Sequence, residues 1–501
     1  MPSDSARFIP MSDNCRAERR TPLFNLDRQS AIPLAVQIEQ QLRLLLERGQ
    51  LAAGARLPSI RRLAQQLGVS PNTVVVAYDR LVAEAALEAR GKSGYFVSPW
   101  LQGGAETSAL LEAGDEQDPV WLAQQAHDQP PGLLLASSSA LPTSWLQDAV
   151  PATVLQRAFA ALPGGMAARC PPQGLPGLRE RLALLMRGQG IPVDASRVMT
   201  TFGASQAIDV ICRAFVQPGD KVLVENPGYH LLPVRLAQAG ARVLSVERRS
   251  DGVDLVQLEA LFAEHRPRLF FMQNTLHNPT GWTASPANLH RVLMLAERHG
   301  VLIAEDDVYG HLLPGHGTRL AQLSSLSGVI YYASFCKVLS PMLRMGYVAA
   351  EPALLKPMLR QKISATLTGS ALSESILLEL LAAGRVRKHF DQLQGRLAAA
   401  HGASLRALRA AGITFDSPSE AGLFLWGRVP EGVDVDVLVK DAWQQGILLA
   451  GGATFSPGGP VAPCLRFNVV LSQHVQLTRY LEQRLQALAQ GQGTLQRLAR
   501  T

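Results

Sequence analysis

The chain lacks the features of a membrane protein and of a disulfide-stabilised secreted protein. No apolar run reaches the roughly 20 residues that a membrane-spanning helix needs, and the polar N-terminus MPSDSARF lacks the apolar core of a signal peptide. The five cysteines lie far apart, without a CxxC pair or a metal-ligand cluster, so we expect neither a disulfide framework nor a metal site. These absences predict a cytoplasmic protein with free thiols.

Lysine is scarce as well. Only seven of the 48 Lys and Arg residues are lysines, and 41 are arginines. A lysine amine that burial or a neighbouring charge deprotonates can form a Schiff base with an aldehyde, whereas a guanidinium stays protonated and cannot. Lys337, in the segment SFCKVLSPMLRMGY over 334–347, is our candidate for that chemistry.

The length and the charge distribution indicate several domains and an anionic partner. A chain of 501 residues is too long for one ordinary core. The net charge is +7, and the first 100 residues carry 13 Lys and Arg against 9 Asp and Glu, which is +4 in a fifth of the chain. We predict a disordered tail over 1–22, a folded domain over 23–98, a linker with one weak helix over 99–130, and a larger domain over 131–490.

The part of the chain after Leu133 alternates short apolar runs with amphipathic helical segments. The runs are KVLVE at 221, ARVLSV at 241, RLFFMQ at 268, VLIAEDD at 301 and GVIYYASF at 328. This alternation predicts an α/β fold, with a mainly parallel sheet and flanking helices on both faces. From about Arg387, helical patterns surround the strand-like runs FLWGRV and CLRFNVV, which predicts a small C-terminal α+β domain.

The N-terminal domain has the pattern of three helices and a hairpin. The predicted elements are helices over 33–48, over 60–67 and from 71 onward, and a hairpin over 87–97. Ser59 and Ser70 stand at the cap positions of the second and third helices. The Gly-rich tip of the hairpin carries Arg90 and Lys92, which suit phosphate contact. The pattern fits a helix-turn-helix with a wing, but three short helices alone fit a generic helical bundle equally well.

The order of residues in this domain resembles the winged helix of GntR-type bacterial regulators. The matching residues are Leu57-Pro58-Ser59, Arg61, Leu63-Ala64, Leu67-Gly68-Val69-Ser70, Asn72-Thr73-Val74, Ala77-Tyr78, Leu81 and Gly94-Tyr95-Phe96-Val97. The resemblance implies binding to operator DNA. The residues predicted to bind it are Ser59, Arg61, Ser70, Asn72, Thr73, Tyr78, Arg90 and Lys92. Two positions depart from the family: Pro71 replaces a common Arg and so removes one DNA contact, and Ala85 replaces the Gly that commonly ends the recognition helix.

A second set of residues matches the chemical needs of a pyridoxal phosphate (PLP) site. PLP needs an amine for its aldehyde, a carboxylate at its ring nitrogen, a polar group at its phenolate oxygen, a stacking ring and a phosphate cup. Asp306 ends the strand-like VLIAED, at the edge where open α/β sheets bind ligands. A helix that starts near Gln206 would direct its first N–H groups at the phosphate. The candidates are Lys337 for the aldehyde, Asp306 for the nitrogen, Tyr309 and Asn278 for the phenolate, Tyr229 for stacking, Gly203, Ala204, Ser205, Ser334 and Arg344 for the phosphate, and Arg466 for a substrate or effector carboxylate.

Each candidate by itself also has a purely structural explanation. Asp306 could cap a helix, Tyr229 could pack in the core, and Asn278 could shape a turn. Arg466 could form a structural ion pair, and a lone Lys337 would more often lie on the surface. The order of all these residues along one chain favours a common site.

That order resembles the fold-type I aminotransferases of the aspartate aminotransferase type, from about residue 131 to 490. The matching motifs are HNPTG at 277–281, EDDVY at 305–309, SFCK at 334–337 and RFN at 466–468. The resemblance implies that PLP is the cofactor and that Lys337 forms a Schiff base with it. Two positions depart from the family. Arg169 replaces a Tyr that reaches the phosphate of a neighbouring subunit, and Cys336 replaces the usual Ser beside the lysine.

The two resemblances together are the architecture of the MocR subfamily of regulators. They imply a head-to-tail homodimer that binds operator DNA and PLP, responds to PLP or an amino-compound effector, and controls amino-acid or vitamin B6 metabolism. The residues leave two other functions open. One is a PLP-dependent aminotransferase with an accessory DNA-binding domain, which would sustain transamination. The other is a DNA-binding protein whose larger domain binds no cofactor and so gives no Schiff-base absorbance.

Overall fold

The chain forms two units, one that ends at Gly114 and one that starts at Asp115. A computed structural model describes residues 26–28, 30, 32–47, 51, 54–83, 86–90, 94–98, 118–128, 132–162, 164–315 and 317–498. The predicted tail over 1–22 and residues 99–117 of the predicted linker lie outside the described residues. None of the described helices is long and apolar enough to cross a membrane.

The first unit is the predicted winged helix-turn-helix. Its helices are α1 (Leu34–Glu47), α2 (Ile60–Leu67) and α3 (Pro71–Ala83), and its antiparallel hairpin consists of β1 (Leu87–Ala89) and β2 (Tyr95–Val97). The Ser59 hydroxyl accepts a hydrogen bond from Arg62 N–H at the start of α2, and Gly68 ends this helix with a φ of 62°. Glycine adopts positive φ without steric cost, so Gly68 allows the tight turn into α3. All five elements contribute to one apolar core.

The second unit contains the remaining described helices and strands. The helices are α4 (Pro119–Asp128), α5 (Thr143–Leu146), α6 (Ala152–Ala160), α7 (Pro176–Gly188), α8 (Gly203–Phe215), α9 (Leu231–Gln238), α10 (Leu255–His265), α11 (Pro286–His299), α12 (Leu320–Leu323), α13 (Pro352–Thr366), α14 (Ala371–Ala382), α15 (Arg385–Ala410), α16 (Val435–Gln444) and α17 (Val475–Leu498). The strands are β3 (Val198–Thr201), β4 (Lys221–Asn226), β5 (Arg242–Arg249), β6 (Gly252–Val253), β7 (Leu269–Met272), β8 (Leu302–Asp306), β9 (Val329–Ser334), β10 (Gly346–Ala349), β11 (Phe424–Arg428), β12 (Ala450–Gly451) and β13 (Cys464–Asn468).

The larger sheet of this unit is mainly parallel, as predicted. Its strand order is β3-β10-β9-β8-β7-β4-β5-β6, and the pairs from β9 to β5 are parallel. Successive residues of one strand enter different apolar clusters, since Phe270 packs on one face of the sheet and Phe271 on the other. Helices therefore cover both faces, and ligands are expected at the edge where β4, β7, β8 and β9 end.

The predicted small α+β domain is also present near the C-terminus. Its antiparallel sheet has the order β11-β13-β12, and residues of α15, α16 and α17 complete its apolar core. In this sheet Arg466 of β13 pairs with Trp426 of β11 and with Ala450 of β12. The central strand thus fixes the position of the predicted carboxylate-binding arginine.

Helix α4 changes the interpretation of the segment predicted as a linker over 99–130. Its residues Trp121 and Leu122 are buried in an apolar cluster of the second unit. The Trp121 ring meets the Trp443 ring edge-on, with centroids 4.8 Å apart. The helix therefore belongs to the folded body, because its few large apolar side chains find partners there that the sequence pattern does not reveal.

Candidate functional site

A cavity of about 170 Å³ lies in the second unit and gathers the predicted cofactor residues. Ten of the eleven residues predicted to bind PLP or a ligand carboxylate line it, namely Ala204, Ser205, Tyr229, Asn278, Asp306, Tyr309, Ser334, Lys337, Arg344 and Arg466. The eleventh, Gly203, is the first residue of α8. Most of these residues lie at or just after the carboxyl ends of parallel strands, which explains why segments distant in sequence meet here.

Lys337 lies in the turn that follows β9. Its Nζ donates a hydrogen bond of 3.0 Å to Ser139 Oγ. Burial is the largest cause and lowers the pKa of the amine to about 8. Cys336 opposes this effect, and the charges of Arg466 and Arg344 reinforce it. An amine with this pKa is partly unprotonated at neutral pH, as a nucleophile that captures an aldehyde must be.

Asp306 is a buried carboxylate at the end of β8. It accepts hydrogen bonds from Val308 N–H, at 3.0 Å, and from the hydroxyl of Tyr332. Burial raises the pKa of this carboxyl to about 7. A protonated ring nitrogen placed against it would supply a positive charge that favours the ionised form, so Asp306 suits its predicted partner.

Tyr309 and Ser139 form the next part of the wall. The Tyr309 ring is buried and meets Phe424 edge-on, with centroids 5.3 Å apart. Its hydroxyl hydrogen-bonds to Ser139, so this serine contacts both Tyr309 and Lys337. Sequence analysis missed Ser139, which lies 198 residues before the lysine. The only signal in the sequence is a run of three serines after the apolar LLLA at 133–136.

The start of α8 forms the phosphate end of the cavity. We predicted that this helix starts near Gln206, but it begins at Gly203. The Gln206 side chain turns back and accepts a hydrogen bond from Phe202 N–H at 2.9 Å, which stabilises the earlier start. The N–H groups of Ala204 and Ser205 lie in its first turn and have no partner within the helix. Together with the helix dipole they favour an anion.

Gly203 lies close to the side chains on either side of Lys337. It has a φ of 69°, and a Cβ at this position would lie 3.1 Å from Cys336 Sγ and 3.4 Å from Arg344 Nη2. Ser334 Oγ accepts a hydrogen bond from Cys336 N–H at 3.1 Å, which orders the turn before the lysine. The close approach around Gly203 thus needs a residue without a side chain, as a phosphate cradle does.

Arg466 is held in place from several sides. Its Nη1 donates to Asn278 Oδ1 at 2.8 Å, and its Nε and Nη2 both donate to the Ser137 carbonyl. The guanidinium also lies over the rings of Phe424 and Phe455, at 5.0 and 4.7 Å from their centroids. Burial lowers the pKa of Arg466 to about 10, so the group stays charged at neutral pH. Of the five N–H donors of a guanidinium, these bonds leave two, the number that a bidentate carboxylate takes.

The charges and the hydrogen-bond donors of the cavity fit PLP. Its lining includes three cationic side chains, Lys337, Arg344 and Arg466, and one carboxylate, Asp306. This excess of positive charge suits a phosphate and a ligand carboxylate. Because Asn278 Oδ1 accepts from Arg466, its amide N–H₂ remains as the donor that a phenolate oxygen requires.

Tyr229 follows β4 and lies beside a histidine that sequence analysis missed. Burial raises the pKa of the Tyr229 hydroxyl to about 12. His230 meets Tyr229 edge-on, with ring centroids 5.2 Å apart, and its Nδ1 has no hydrogen-bond partner among the described residues. Other lining residues without a sequence signal are Ser137, Gln273, Leu448 and the α4 residues Leu122, Ala123, Ala126 and His127.

The predicted DNA-binding residues occupy different environments in the first unit. Ser59, Arg61, Ser70 and Asn72 are exposed around the turn between α2 and α3. Thr73 is half-buried, and its N–H and hydroxyl bond to Ser70 Oγ at the start of α3. These positions leave the exposed residues available to a DNA groove.

The structure corrects one member of this set and leaves another undescribed. Tyr78 is fully buried, its hydroxyl donates to the Pro58 carbonyl at 3.0 Å, and its ring packs on Tyr95, so it is a core residue and not a DNA contact. Arg90 is exposed, bonds to Glu88 and lies over the Phe96 ring. Lys92, like Ala85, lies outside the described residues.

Comparison with known proteins agrees with both units. Residues 133–482 match the family model for aminotransferase class I and II, and residues 34–97 match that for bacterial regulatory proteins of the gntR family. An uncharacterized HTH-type transcriptional regulator of Escherichia coli, YdcR, is 30% identical over 86% of this chain and 94% of its own length. The probable rhizopine catabolism regulatory protein MocR of Rhizobium meliloti is 28% identical over 84% of this chain and 87% of its own.

A similar solved structure confirms the fold of the second unit. The α-aminoadipate aminotransferase LysN of Thermus thermophilus has a TM-score of 0.66 and 24% sequence identity, and the match covers 76% of this chain and 97% of that enzyme. The match of the aminotransferase model to more than half of the chain shows the family of this unit, and the regulators match nearly the whole length. The chain therefore belongs to the MocR subfamily of GntR-type transcriptional regulators, in which a winged helix-turn-helix is fused to a fold-type I aminotransferase-like domain whose cofactor is pyridoxal phosphate.

Proposed function

We propose that this regulator holds PLP covalently through Lys337 and changes its binding to operator DNA when PLP or an amino compound occupies the cavity. The observation that carries the proposal is the amine of Lys337, which lines the cavity with a pKa lowered to about 8. PLP supplies an aldehyde that reversibly bonds an amine and a ring that withdraws electrons from it. Asp306 would hold the ring nitrogen, Tyr309 and Asn278 the phenolate oxygen, and the start of α8 the phosphate.

The effector would be an amino compound that competes with Lys337 for the cofactor. Its carboxylate would take the two remaining donors of Arg466, and the released lysine amine would change its hydrogen bond with Ser139. A ligand shifts a conformational equilibrium only by its difference in affinity for the two conformations. The effector must therefore bind the DNA-binding and DNA-releasing forms unequally. The regulated genes would belong to amino-acid or vitamin B6 metabolism.

The proposal also includes a head-to-tail homodimer. Arg169, which replaces the cross-subunit Tyr of the aminotransferases, is exposed and is not among the residues that line the cavity of its own chain. An exposed guanidinium at this position is available to the phosphate in a neighbouring subunit. Sedimentation of the purified protein tests whether a dimer forms, and a PLP titration of Arg169→Ala beside the unmodified protein tests whether this residue contributes to PLP binding across it.

An active aminotransferase with an accessory DNA-binding domain is the competing function. It is favoured by one observation, that the groups for amine capture and carboxylate binding all line one cavity. It predicts many turnovers with an amino donor and a keto acid. The regulator predicts slow or incomplete half-reactions, with operator binding that depends on the ligand.

The test is a titration of the PLP-free full-length protein with PLP, followed by a panel of amines. Schiff-base absorbance and anisotropy of a labelled promoter fragment from upstream of its own gene are measured on the same samples. Lys337→Ala should remove the absorbance and the effector response. Lys440→Ala, which changes an exposed lysine, should alter neither. A Lys337→Ala protein with an unchanged effector response would refute covalent sensing, and sustained turnover without DNA binding would favour the enzyme.

A further inference from the structure

Helix α4 forms one wall of the cofactor cavity. The residues that line the cavity are Leu122, Ala123, Ala126 and His127, which lie on one face of the helix because they are spaced at i, i+1, i+4 and i+5. Asp118 starts the helix by accepting a hydrogen bond from Val120 N–H at 2.9 Å. The helix begins four residues after the boundary between the two units, so it is the first described element of the body that the chain enters from the DNA-binding unit.

The packing of α4 leaves space beside it. Trp121 anchors the helix on Trp443. A second cavity, of about 220 Å³, is lined by Pro119 at the start of the helix and by Tyr229 and His230, which also line the cofactor cavity. Tyr229 and His230 thus have a cavity on each side. Close packing resists movement in a protein interior, and the two cavities reduce it beside α4.

The surface that α4 presents to the cavity is uncharged over most of its length. Leu122, Ala123 and Ala126 contribute only apolar groups, and the His127 ring is engaged through its Nδ1 with the Ala123 carbonyl at 2.7 Å. On the adjoining wall, burial and the charges of Arg466 and Lys337 hold the pKa of His230 well below its usual value, so this imidazole is neutral. The cations of the cavity therefore lie at the cofactor end and not on α4.

This arrangement limits the effectors that the site accepts. An α-amino acid that places its carboxylate on Arg466 and its amine toward Lys337 has one substituent left, its side chain. The walls without fixed charge include those formed by α4 and by Leu231 and Leu448. A charged side chain buried against them would lose its hydration without gaining a partner, whereas an apolar one gains from burial.

We propose that α4 recognises the side chain of the effector, and that the effector is an α-amino acid with an uncharged, mainly apolar side chain. Tighter docking of α4 on this ligand carries the signal into the chain that leads to the DNA-binding unit. This inference rests on the proposed function, because it needs a PLP site that accepts an amino acid. It adds the class of the effector and the element that detects it.

Hydrogen exchange of the full-length PLP-bound protein tests the docking of α4 without any substitution. L-norleucine is the apolar probe, and L-glutamate and L-lysine are the charged probes of similar length. With norleucine, exchange of the backbone amides in 118–128 should slow at least about fivefold. The charged probes should leave it unchanged. A response to glutamate or lysine but not to norleucine would overturn the proposed effector class, and unchanged exchange with bound norleucine would overturn the role of α4.

A pair of variants on the same helix tests the recognition surface. Ala126→Leu fills the cavity from α4, and Gln124→Leu adds the same side chain at a position that does not line it. Overpacking at the first should weaken norleucine binding, followed by the cofactor spectrum, at least about tenfold. PLP absorbance should remain, and the second variant should stay within about twofold of the unmodified protein. Equal norleucine affinities in the two variants would refute the inference alone, whereas a protein without Schiff-base absorbance would refute the proposed function beneath it.

Discussion

The lowered pKa of Lys337 predicts how fast the PLP-free protein captures PLP at each pH. Burial lowers this pKa from 10.5 to about 8, with smaller contributions from Arg466 and Arg344 and an opposing one from Cys336. At pH 7 about one amine in eleven is then unprotonated, against about one in three thousand for an ordinary lysine, a difference of about 300-fold. The rate of Schiff-base formation should therefore rise about tenfold per pH unit up to pH 7, bend near pH 8 and become level above pH 9.

Rapid mixing of PLP-free protein with PLP from pH 6 to pH 10, followed by absorbance, measures this profile. The same series with a lysine-containing peptide removes the pH dependence that belongs to PLP itself. Lys337→Ala should give no Schiff-base absorbance at any pH. A rate that still rises about tenfold per unit between pH 9 and pH 10 would refute the reasoning, because it would mean that the amine keeps the pKa of an exposed lysine.

A further variant separates the causes of the shift. Arg466→Gln removes a positive charge that opposes protonation of Lys337, so the bend in the profile should move to higher pH. Because burial is the larger cause, the profile should remain well below that of the peptide. A bend that moves to lower pH would contradict the assigned sign of this interaction.

Three other substitutions test the site and the DNA-binding unit. Gly203→Ala should lower PLP affinity at least about tenfold in a fluorescence titration, since the new Cβ would lie 3.1 Å from the Cys336 sulfur. Gly300→Ala is the control: its φ is similar and its new Cβ would have no other atom within 4 Å, so only the free energy of unfolding should fall, by about 1 kcal/mol. Asp306→Asn should raise the thermal unfolding temperature of PLP-free protein at pH 8 but not at pH 4. A carboxyl whose pKa is raised to about 7 loses stability as pH rises from about 4 to 7, and an amide does not. Tyr78→Phe should destabilise the first unit by about 1 to 2 kcal/mol in urea unfolding, whereas Asn72→Ala should weaken DNA binding and leave unfolding unchanged.

The parts of the fold that depend on local pattern could be predicted from the sequence. The apolar strand runs gave the parallel sheet because a strand covered on both faces is apolar throughout. The location of the site could be predicted from the sheet, because residues after the carboxyl ends of parallel strands meet at one edge whatever their separation in sequence. Asp306 and Lys337 could therefore be assigned to one cavity before any contact between them was known.

The parts that depend on contacts between distant residues could not be predicted. Ser139 carries no motif, and only the folded chain brings its hydroxyl to Lys337. Tyr78 belongs to a motif that binds DNA, but whether a motif residue faces the groove or the core depends on packing against Tyr95 of the wing. Helix α4 lies in a polar segment with few large apolar residues, and its position depends on an apolar cluster of the second unit in which Trp121 and Leu122 are buried.

The scarcity of lysine narrows the choice of the reactive amine, but only the surroundings decide it. Lys362 is also buried, and its Nζ donates to the carbonyl and the hydroxyl of Thr200 at 2.9 and 3.3 Å. Burial lowers the pKa of Lys362, but Glu374 opposes that effect, so this ammonium has both hydrogen-bond acceptors and a compensating charge. Lys337 has one hydroxyl partner, and its cationic neighbours Arg466 and Arg344 favour loss of its proton, against an opposing effect of Cys336. Lys362→Met checks the assignment: it should leave the pH profile of PLP capture unchanged, and a changed profile would mean that Lys362 and not Lys337 is the reactive amine.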